Sequence, residues 1–594
     1  MGSSVEMTSK SSHNPPPHPA QAAASALGAA GVGPDAEQKA SLFQQHNPGP
    51  AEIAARITGA VTGGKREDDG LSFTSGEGIP WPDPGVSGNV GGIPVASDTF
   101  LFQRQRTLNR SKTLERVAHS AGSGAFGYFE CTKDMSELTK ADLYNGVGKR
   151  TPIFMRFSTA TFGKEFPDQG RNPRGFAIKH YTRDGNYDIV GLNWPVFFCR
   201  DPMQGPDAIR SQQRNPANFL LDHNATFDFL ANVPESNHAG MMLFSNHGHP
   251  KGWRKMHGFG CHTFKWVNGE GKFVYIKYHF ICGQGSHQLT WGEATKTCGE
   301  DPDFSKRDLW QAIEKGEPVT WTAKVQIMKP EQADPVKLGF DPFDVTKVWP
   351  KHDFPVQDFG RLVLNRNPED YHRDVEQSAF SPGSMVPGIE ESPDTLLQFR
   401  MLHYRDAQYH RIGANLHQVP VNCQFMSRSC ASVSFDGHLR SDGNTRGDPH
   451  YVPNSFVNEF RPDTAEVPNE ASDNVASHQR RHYSEGKPGE YDQARELYAR
   501  VMGEKERVDL HHNTAAFLRL VEYPVIQMKY LAQCYCVRPE YARGIYDLLP
   551  EKDYDFGKVQ EMAKDAPNFG KERRFMPSKD SHGLLGESAT VSTY

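Results

Sequence analysis

The feature that most constrains the fold of this chain is a series of short β-rich segments between residues 74 and 365. Residues 262–280 contain two such segments on either side of the turn sequence NGEG, which is typical of a hairpin. Residues 175–191 have the same form, with Asp184-Gly185 at the turn. A closed antiparallel barrel removes exposed strand edges, so the pattern favours a barrel. Further candidate strands are residues 152–159, 320–328 and 361–367.

The rest of the chain divides by composition. Residues 1–73 are predicted to be an N-terminal tail and arm, because residues 1–44 are rich in Pro, Ala, Ser and Gly and hold too few large apolar side chains to form a core. Residues 366–485 are predicted to be a wrapping segment with one helix, and residues 486–594 a helical domain and tail. Together with the barrel at residues 74–365, this makes an α+β protein.

Charge and cysteine content exclude several classes of function. Lys+Arg 66 against Asp+Glu 72 give a formal net charge of −6, which argues against a nucleic-acid partner. No apolar run is long enough to span a bilayer, so no membrane partner is expected. The nine cysteines are dispersed, and Cys534 and Cys536 do not form a CxxC pair, so we expect reduced thiols in an intracellular protein.

Targeting signals leave the compartment open. The N-terminal stretch has proline where a secretory signal has its apolar core, and the C-terminal STY is not an SKL-type peroxisomal signal. The protein is expected to be intracellular, either cytoplasmic or peroxisomal.

Residues 122–127 (GSGAFG) match the GxGxxG pattern of dinucleotide-binding turns. That pattern needs a buried strand before it and a helix after it. Here a polar segment precedes it and aromatic residues follow. A glycine-rich bend beneath a large planar ligand is the preferred interpretation.

A helix predicted near residue 400 carries the first candidate site. Ser392 is predicted as its N-cap and Pro393 as its first residue. At about 100° per residue, Arg400 and Tyr404 lie one turn apart on one face, and Arg411 falls close to the same line. A guanidinium one turn away favours a phenolate, which is a suitable axial ligand for ferric haem. A surface helix with a half-buried tyrosine remains an alternative.

A second candidate site combines His119 with a serine. His119 is followed by small residues that would let it stand close to a flat cofactor. The hydroxyl of Ser158 could orient its imidazole, which could then move a peroxide proton between two oxygens. The alternative is a histidine in a polar turn.

Several segments occur in one order over about residues 70–565. They are ERVAHSAGSGAFGYFE, RFST, NPRGFAIKHYT, PVFFCRDP, KVWP, LVLNRNPEDY and RMLHYRDAQYHRIG. Taken together and in this order, these segments resemble the haem-dependent monofunctional catalases of the small-subunit type.

The resemblance implies a fold and roles for individual residues. The implied fold is an eight-stranded antiparallel barrel with a wrapping segment and a helical domain, and the implied assembly is a homotetramer that binds haem b. Tyr404 would be the iron ligand, held anionic by Arg400, and His119 the acid–base residue, with Ser158 as its partner. The residues that match haem-propionate and haem-chamber positions are Arg116, Arg156, Arg411, Phe176, Phe197 and Phe198.

The activity implied is the dismutation of hydrogen peroxide to water and dioxygen through a ferryl intermediate. The first alternative is a related haem enzyme acting on an organic substrate, either a fatty-acid hydroperoxide or a specialised metabolite. The second is a haem-binding protein with little turnover.

Two departures from the family bear on this choice. Leu192 stands where the family usually has an asparagine that orients peroxide, and Asn193 beside it should point to the opposite face of the strand. Gly205 stands where the family usually has a phenylalanine. Both changes would make room for an organic substrate, unless another ring nearby compensates.

A third departure concerns a second cofactor. His238 and Ser245 match the NADPH site of many small-subunit catalases. Loss of the cations that meet the nucleotide phosphates argues against NADPH binding. The replacements are His247 for Arg, Ile281 for Lys and Lys351 for His. The histidine-rich stretch at residues 247–262 is predicted to be structural rather than a metal site.

Overall fold

The computed structural model describes the main body of the chain. The predicted tail at residues 1–73, most of the predicted wrapping segment after residue 428, and residues 572–594 lie outside the described residues. The described residues are 74–81, 86–90, 93–94, 98–428, 437–438, 440, 449–451, 453–456, 489–550 and 552–571.

Eight antiparallel strands close into a barrel, which confirms the predicted fold. They run in the order β10-β11-β3-β4-β5-β6-β7-β9, and β9 pairs back onto β10. Two more strands, β8 and β12, extend the sheet from β9, and β1 and β2 form a separate pair. The strands are β1 Asn89–Val90, β2 Ile93–Pro94, β3 Gly122–Cys131, β4 Arg150–Thr159, β5 Arg174–Thr182, β6 Gly185–Leu192, β7 Gly258–Phe259, β8 Phe264–Val267, β9 Phe273–Cys282, β10 Val319–Met328, β11 Gln357–Arg366 and β12 Ile389–Glu391.

The inner face of the barrel is one apolar core. Alternate residues of every long strand point inward, as on β10, where Val319, Trp321, Ala323 and Val325 are buried. The residues between these inward-facing ones point to the outer face of the barrel. Helices and connecting segments cover this outer face. The candidate site lies on this outer face.

The predicted glycine-rich bend at residues 122–127 is wrong, because these residues begin strand β3. Gly122 and Gly127 contact the backbones of β4 and β11 so closely that a Cβ at either position would overlap a carbonyl oxygen. Glycine in a strand marks such a close approach of neighbouring backbones. The glycines therefore serve packing between strands.

Helices cover the barrel and form the C-terminal region. The predicted helical region is confirmed, since α9–α13 together with α3 and α4 enclose an apolar core of their own. Within the described part of the chain, no helix has the length and apolarity needed to cross a membrane. The helices are α1 Thr99–Asn109, α2 Gly205–Arg210, α3 His223–Asn232, α4 Asn237–Phe244, α5 Trp291–Glu300, α6 Phe304–Glu314, α7 Pro335–Leu338, α8 Thr395–Ile412, α9 Asp492–Glu496, α10 Glu504–Leu518, α11 Pro524–Val537, α12 Pro539–Leu548 and α13 Phe556–Ala563.

Helix α8 begins two residues later than predicted. Its N-cap is Asp394, whose carboxylate accepts hydrogen bonds from the backbone N–H groups of Leu396 and Leu397. The predicted cap, Ser392, instead donates its hydroxyl hydrogen to the carbonyl of Thr263. Asp394 is favoured over Ser392 as the N-cap because its anionic oxygen interacts favourably with the positive end of the helix.

Candidate functional site

His119 and Ser158 lie together on the outer face of the barrel. His119 precedes β3 in a left-handed conformation (φ 63°), and its backbone N–H donates to the carbonyl of Ala160 at 2.7 Å. Its Nδ1 is 2.9 Å from Oγ of Ser158 on β4. A Cβ at Gly175 on β5 would lie 2.7 Å from Nδ1 and would also meet Oγ of Ser158. Gly175 therefore provides the space in which this pair forms.

The imidazole of His119 is held neutral. Burial lowers the pKa of His119 to about 3, and the positive charges of Arg156, Arg400 and Arg116 act in the same direction. With Nδ1 engaged by Ser158, a neutral ring that donates from Nδ1 keeps its lone pair on Nε2 and can act as a base there. Because Arg400 belongs to α8, this helix contributes to the electrostatic environment of His119.

Arg400 joins Tyr404 to a buried polar chain. Its Nη2 donates to Oη of Tyr404 at 2.8 Å and to the carbonyl of Val190 at 3.1 Å. Its Nη1 is 2.7 Å from Nε2 of His262, whose Nδ1 is 2.7 Å from Oδ2 of Asp394. The guanidinium can only donate, so His262 accepts from it at Nε2 and donates from Nδ1 to the carboxylate. This series of hydrogen bonds holds the Arg400 guanidinium with its positive charge beside the Tyr404 oxygen.

Sequence reasoning did not identify His262 and Asp394 as site residues. Burial disfavours the Asp394 carboxylate, but His262, the first-turn N–H groups and Lys277 outweigh it and lower the pKa of Asp394. Burial, opposed by Asp394, lowers the pKa of His262. The sequence features that mark them are weak: Asp394 is an acidic residue at the start of a helix, and His262 is a histidine just before strand β8. These residues are 132 positions apart, and only folding brings them together.

Three predicted arginines form a cluster around the end of the π-helical turn Tyr371–Glu376. Arg116 and Arg411 both donate to the carbonyls of Glu376 and Ser378. Arg156 is buried, and its Nε has no hydrogen-bond partner among the described residues. The carboxylate of Glu376 acts on all three guanidinium groups and offsets part of their positive charge, and Nε of Arg156 remains available as a donor.

The arginines of this cluster are buried and also repel one another, and both effects lower their pKa values. Burial lowers the pKa of Arg116 well below its ordinary value, and Arg156 and Arg411 lower it further. The pKa of Arg411 is lowered to about 10, first by burial and then by Arg156. A ligand bearing carboxylates would relieve this repulsion, because guanidinium–carboxylate pairs form paired charge-assisted hydrogen bonds.

The predicted aromatic lining is only partly brought together. Phe197 and Phe198 lie next to each other with ring centroids 5.7 Å apart, against the apolar cluster that contains Leu192. The expectation that Phe176 joins them is wrong. Phe176 points into the barrel core, with its ring centroid 5.6 Å from that of Trp321, because it lies on the opposite face of β5 from Gly175.

Leu192 lies beside the His119–Ser158 pair. In the sheet, Ser158, Gly175 and Leu192 are cross-strand partners in one row, so their side-chain positions share the outer face. Asn193 cannot replace a peroxide-orienting amide at this place. Its Oδ1 accepts from the backbone N–H of Arg174 at 2.8 Å, and its Nδ2 donates to a loop carbonyl.

The space expected at Gly205 is filled. A Cβ on Gly205 would lie 3.1 Å from Cε1 of Phe399 and 3.7 Å from Cδ1 of Leu396, both on α8. The loss of a side chain at Gly205 is therefore compensated by a ring from another helix. The compensating ring is Phe399.

The two residues that match an NADPH site, His238 and Ser245, lie within α4 and at its C-terminal end. His238 is buried, with its pKa lowered to about 4, first by burial and then by Lys347. The hydroxyl of Ser245 donates to the carbonyl of Met242 at 2.9 Å and so is engaged within its own turn. Lys351 is exposed at the surface.

The histidine-rich stretch at residues 247–262 contains no metal-binding group. Across the described ranges, no three His, Cys, Asp or Glu side chains are placed to hold a metal ion. From this stretch, His249 bonds through Nδ1 to the carbonyl of Gln169, and His262 serves Arg400.

The chain matches two family models. Residues 74–458 match the family described as "Catalase", and residues 484–549 match the family described as "Catalase-related immune-responsive". The first match contains every residue of the site described above.

Individual relatives agree with the family models. A catalase of Methanosarcina barkeri is 47% identical over 387 residues, covering 65% of this chain and 76% of the relative. A peroxisomal catalase of Pichia angusta is 45% identical over 392 residues, covering 64% and 77%. The solved structure of catalase A from Saccharomyces cerevisiae superposes with a TM-score of 0.77 at 36% identity, covering 82% of this chain and 100% of that one.

Proposed function

This chain belongs to the catalase family, and we propose that His119, Ser158 and the Arg400–Tyr404 pair carry out the family's reaction in it. The protein is an oxidoreductase that dismutates hydrogen peroxide to water and dioxygen. The observation that carries the assignment of residues is the 2.9 Å contact between Nδ1 of His119 and Oγ of Ser158, and the lowered pKa of His119 agrees with a neutral imidazole there.

The family implies a haem cofactor, and the residues present fit haem b. The positive charge of Arg116, Arg156 and Arg411, which the single carboxylate of Glu376 offsets only in part, would suit two propionates. The phenolic oxygen of Tyr404, to which Arg400 donates a hydrogen bond, would bind the haem iron. When bound, haem supplies the redox chemistry that breaks the O–O bond of one peroxide and oxidises a second.

The protein residues move and position protons. Nε2 of His119 takes a proton from one peroxide oxygen and returns it to the other, which leaves as water. Ser158 holds Nδ1 at 2.9 Å and keeps the ring in one orientation. The same nitrogen would accept and pass on a proton from the second peroxide, which gives up two electrons and two protons in all and leaves as dioxygen, while the second water forms.

Purified, haem-replete protein tests this function directly. We expect one dioxygen for every two peroxides consumed, with turnover sustained at millimolar peroxide. Haem-replete protein that binds peroxide without evolving oxygen would overturn the proposal.

Activity is expected to be insensitive to pH over the neutral and mildly acidic range. Because the pKa of His119 is lowered to about 3, its base form persists as pH falls, and activity should drop only below about pH 4. Initial oxygen-evolution rates measured across pH, with circular dichroism to verify folding at each point, check this. A half-loss of activity near the ordinary histidine pKa of about 6.5 would contradict it.

Restoring an amide at position 192 should accelerate the reaction. Leu192→Asn places a donor in the row that contains Ser158, and about 2 kcal/mol of added transition-state stabilisation corresponds to roughly 30-fold in kcat/KM. Leu192→Ala is the matched control, since it adds space without a donor. Equal acceleration in both variants would show that space, not hydrogen bonding, limits the rate.

The protein is proposed to act as a homotetramer in an intracellular compartment. Helix α1 has no buried residue, and it exposes Phe102 and Leu108, which is typical of an arm that packs on another subunit. The eight cysteines among the described residues form no disulfide, as reducing compartments favour. The mass in solution, measured by light scattering, should correspond to four chains; a monomeric mass would contradict this assembly.

A further inference from the structure

The phenylalanine that fills the space at Gly205 is held firmly within α8. The Phe399 ring stacks on that of His403, one turn later, with centroids 5.3 Å apart and planes at 23°. The His403 ring meets that of Tyr404 edge-on at 5.8 Å. Phe399 is also the residue directly before Arg400. The ring is therefore positioned by the same helical turns that position the Arg400–Tyr404 pair.

On its other side, Phe399 contacts α2. A Cβ on Gly205, the first residue of α2, would lie 3.1 Å from Cε1 of Phe399, and α2 follows Phe197 and Phe198 after a short connection. Phe399 and Phe197 are both half-buried and pack against the large apolar cluster that also contains Leu192 and Phe198. A change of volume at the Phe399 ring consequently changes the packing between α8 and the segment that carries these phenylalanines.

We propose that Phe399 determines the size of molecule that this site admits. Its ring, on α8, fills the space that a side chain at position 205, on α2, would otherwise occupy. The role rests on the proposed function, since it matters only for a site that admits peroxide. The ring closes the gap above Gly205 and keeps the site narrow enough for a water-sized substrate. Closure explains how this chain can lack a side chain at Gly205 and still exclude larger molecules.

The geometry requires that only one of the two helices supply the ring. A Cβ on Gly205 would already be 3.1 Å from Cε1 of Phe399, closer than ordinary carbon–carbon contacts, and a phenyl group beyond it would overlap the ring. Phenyl groups at both positions compete for one volume. Removing one should therefore relieve the cost of adding the other.

A double-mutant cycle measures this competition without reference to activity. Gly205→Phe should lower the thermal unfolding midpoint by about 2–6 °C through overpacking, and Phe399→Ala should lower it through a cavity. The double variant should lose less than the sum of the two. Additive losses would overturn the proposed exchange of rings.

Ligand access measures the consequence for the site. Cyanide and 4-phenylimidazole both bind ferric haem but differ in size. The binding of each is measured by the shift of the Soret band. Phe399→Ala should improve the affinity for 4-phenylimidazole relative to cyanide by about tenfold or more. The double variant with Gly205→Phe should return the ratio toward that of the natural protein.

Controls separate failure of this inference from failure of the proposed function. Phe273→Ala removes a half-buried ring from β9 that packs against a different apolar cluster, and it should leave the affinity ratio unchanged. An unchanged ratio in Phe399→Ala, in protein that still evolves oxygen, overturns the role of Phe399 and leaves the function standing. Absence of oxygen evolution by the natural haem-replete protein overturns the function, whereas the double-mutant cycle still tests the ring exchange.

Discussion

Replacement of His119 by asparagine is expected to lower kcat for peroxide dismutation by about 10²–10⁴-fold, because it removes the acid–base group. Asparagine retains a polar side chain near Ser158 but has no nitrogen that can accept and return a proton at neutral pH. The haem content should stay close to that of the natural protein, since His119 is not among the residues proposed to hold haem. Stopped-flow oxygen evolution with haem quantified in each preparation measures the effect.

A second histidine provides the matched control. His257 is half-buried, and its Nδ1 accepts a hydrogen bond from the backbone N–H of Cys282. His257→Asn should retain activity within a few-fold, as expected of a histidine outside the reaction. If His119→Asn kept the activity of the natural protein, the assignment of the acid–base role would be wrong.

Replacement of Tyr404 by phenylalanine is expected to weaken haem binding by at least about 100-fold or to change its ferric spectrum. The variant removes the oxygen to which Arg400 donates at 2.8 Å, and with it the proposed iron ligand. Mutation of a residue that only hydrogen-bonds to a metal ligand already lowers metal affinity by about 10–100-fold. Removal of the ligand itself should therefore lower it by at least as much. Haem titration followed in the Soret region measures this result.

The same helix offers a control for this variant. Tyr409 is exposed on α8, and Tyr409→Phe should leave haem binding and the spectrum unchanged. Arg400→Lys should give an intermediate effect, because lysine keeps the charge but loses the planar fork that bonds both Tyr404 and His262. An unaltered ferric spectrum in Tyr404→Phe would exclude Tyr404 as the ligand.

Local patterns predicted much of the fold and part of the site. Alternating β-rich segments and tight turns predicted the barrel, and the helical period predicted that Arg400 and Tyr404 share a face. The hydrogen bond between these two residues follows from a spacing of one turn, which depends only on local geometry. The β3 glycines were misinterpreted, because a glycine-rich strand and a bend have the same composition, and only the neighbouring strands distinguish them.

Other features depended on contacts between distant segments. His262 and Asp394 meet across 132 residues, and no local pattern marks such a pair. Phe176 was assigned to the site, although barrel closure places it on the inner face. No sequence pattern marks Phe399, because its proposed role depends on the absence of a side chain at Gly205 on another helix.

The sequence by itself determined the fold class, the helix that carries Arg400 and Tyr404, and the family to which its ordered motifs belong. These properties are encoded in residue spacing and in motifs that are contiguous along the chain. The tertiary structure alone decided which strand face meets His119, which residues support Arg400, and that Phe399 fills the space at Gly205. Those outcomes depend on strand register, barrel closure and packing volume, which arise only when segments far apart in the chain come into contact.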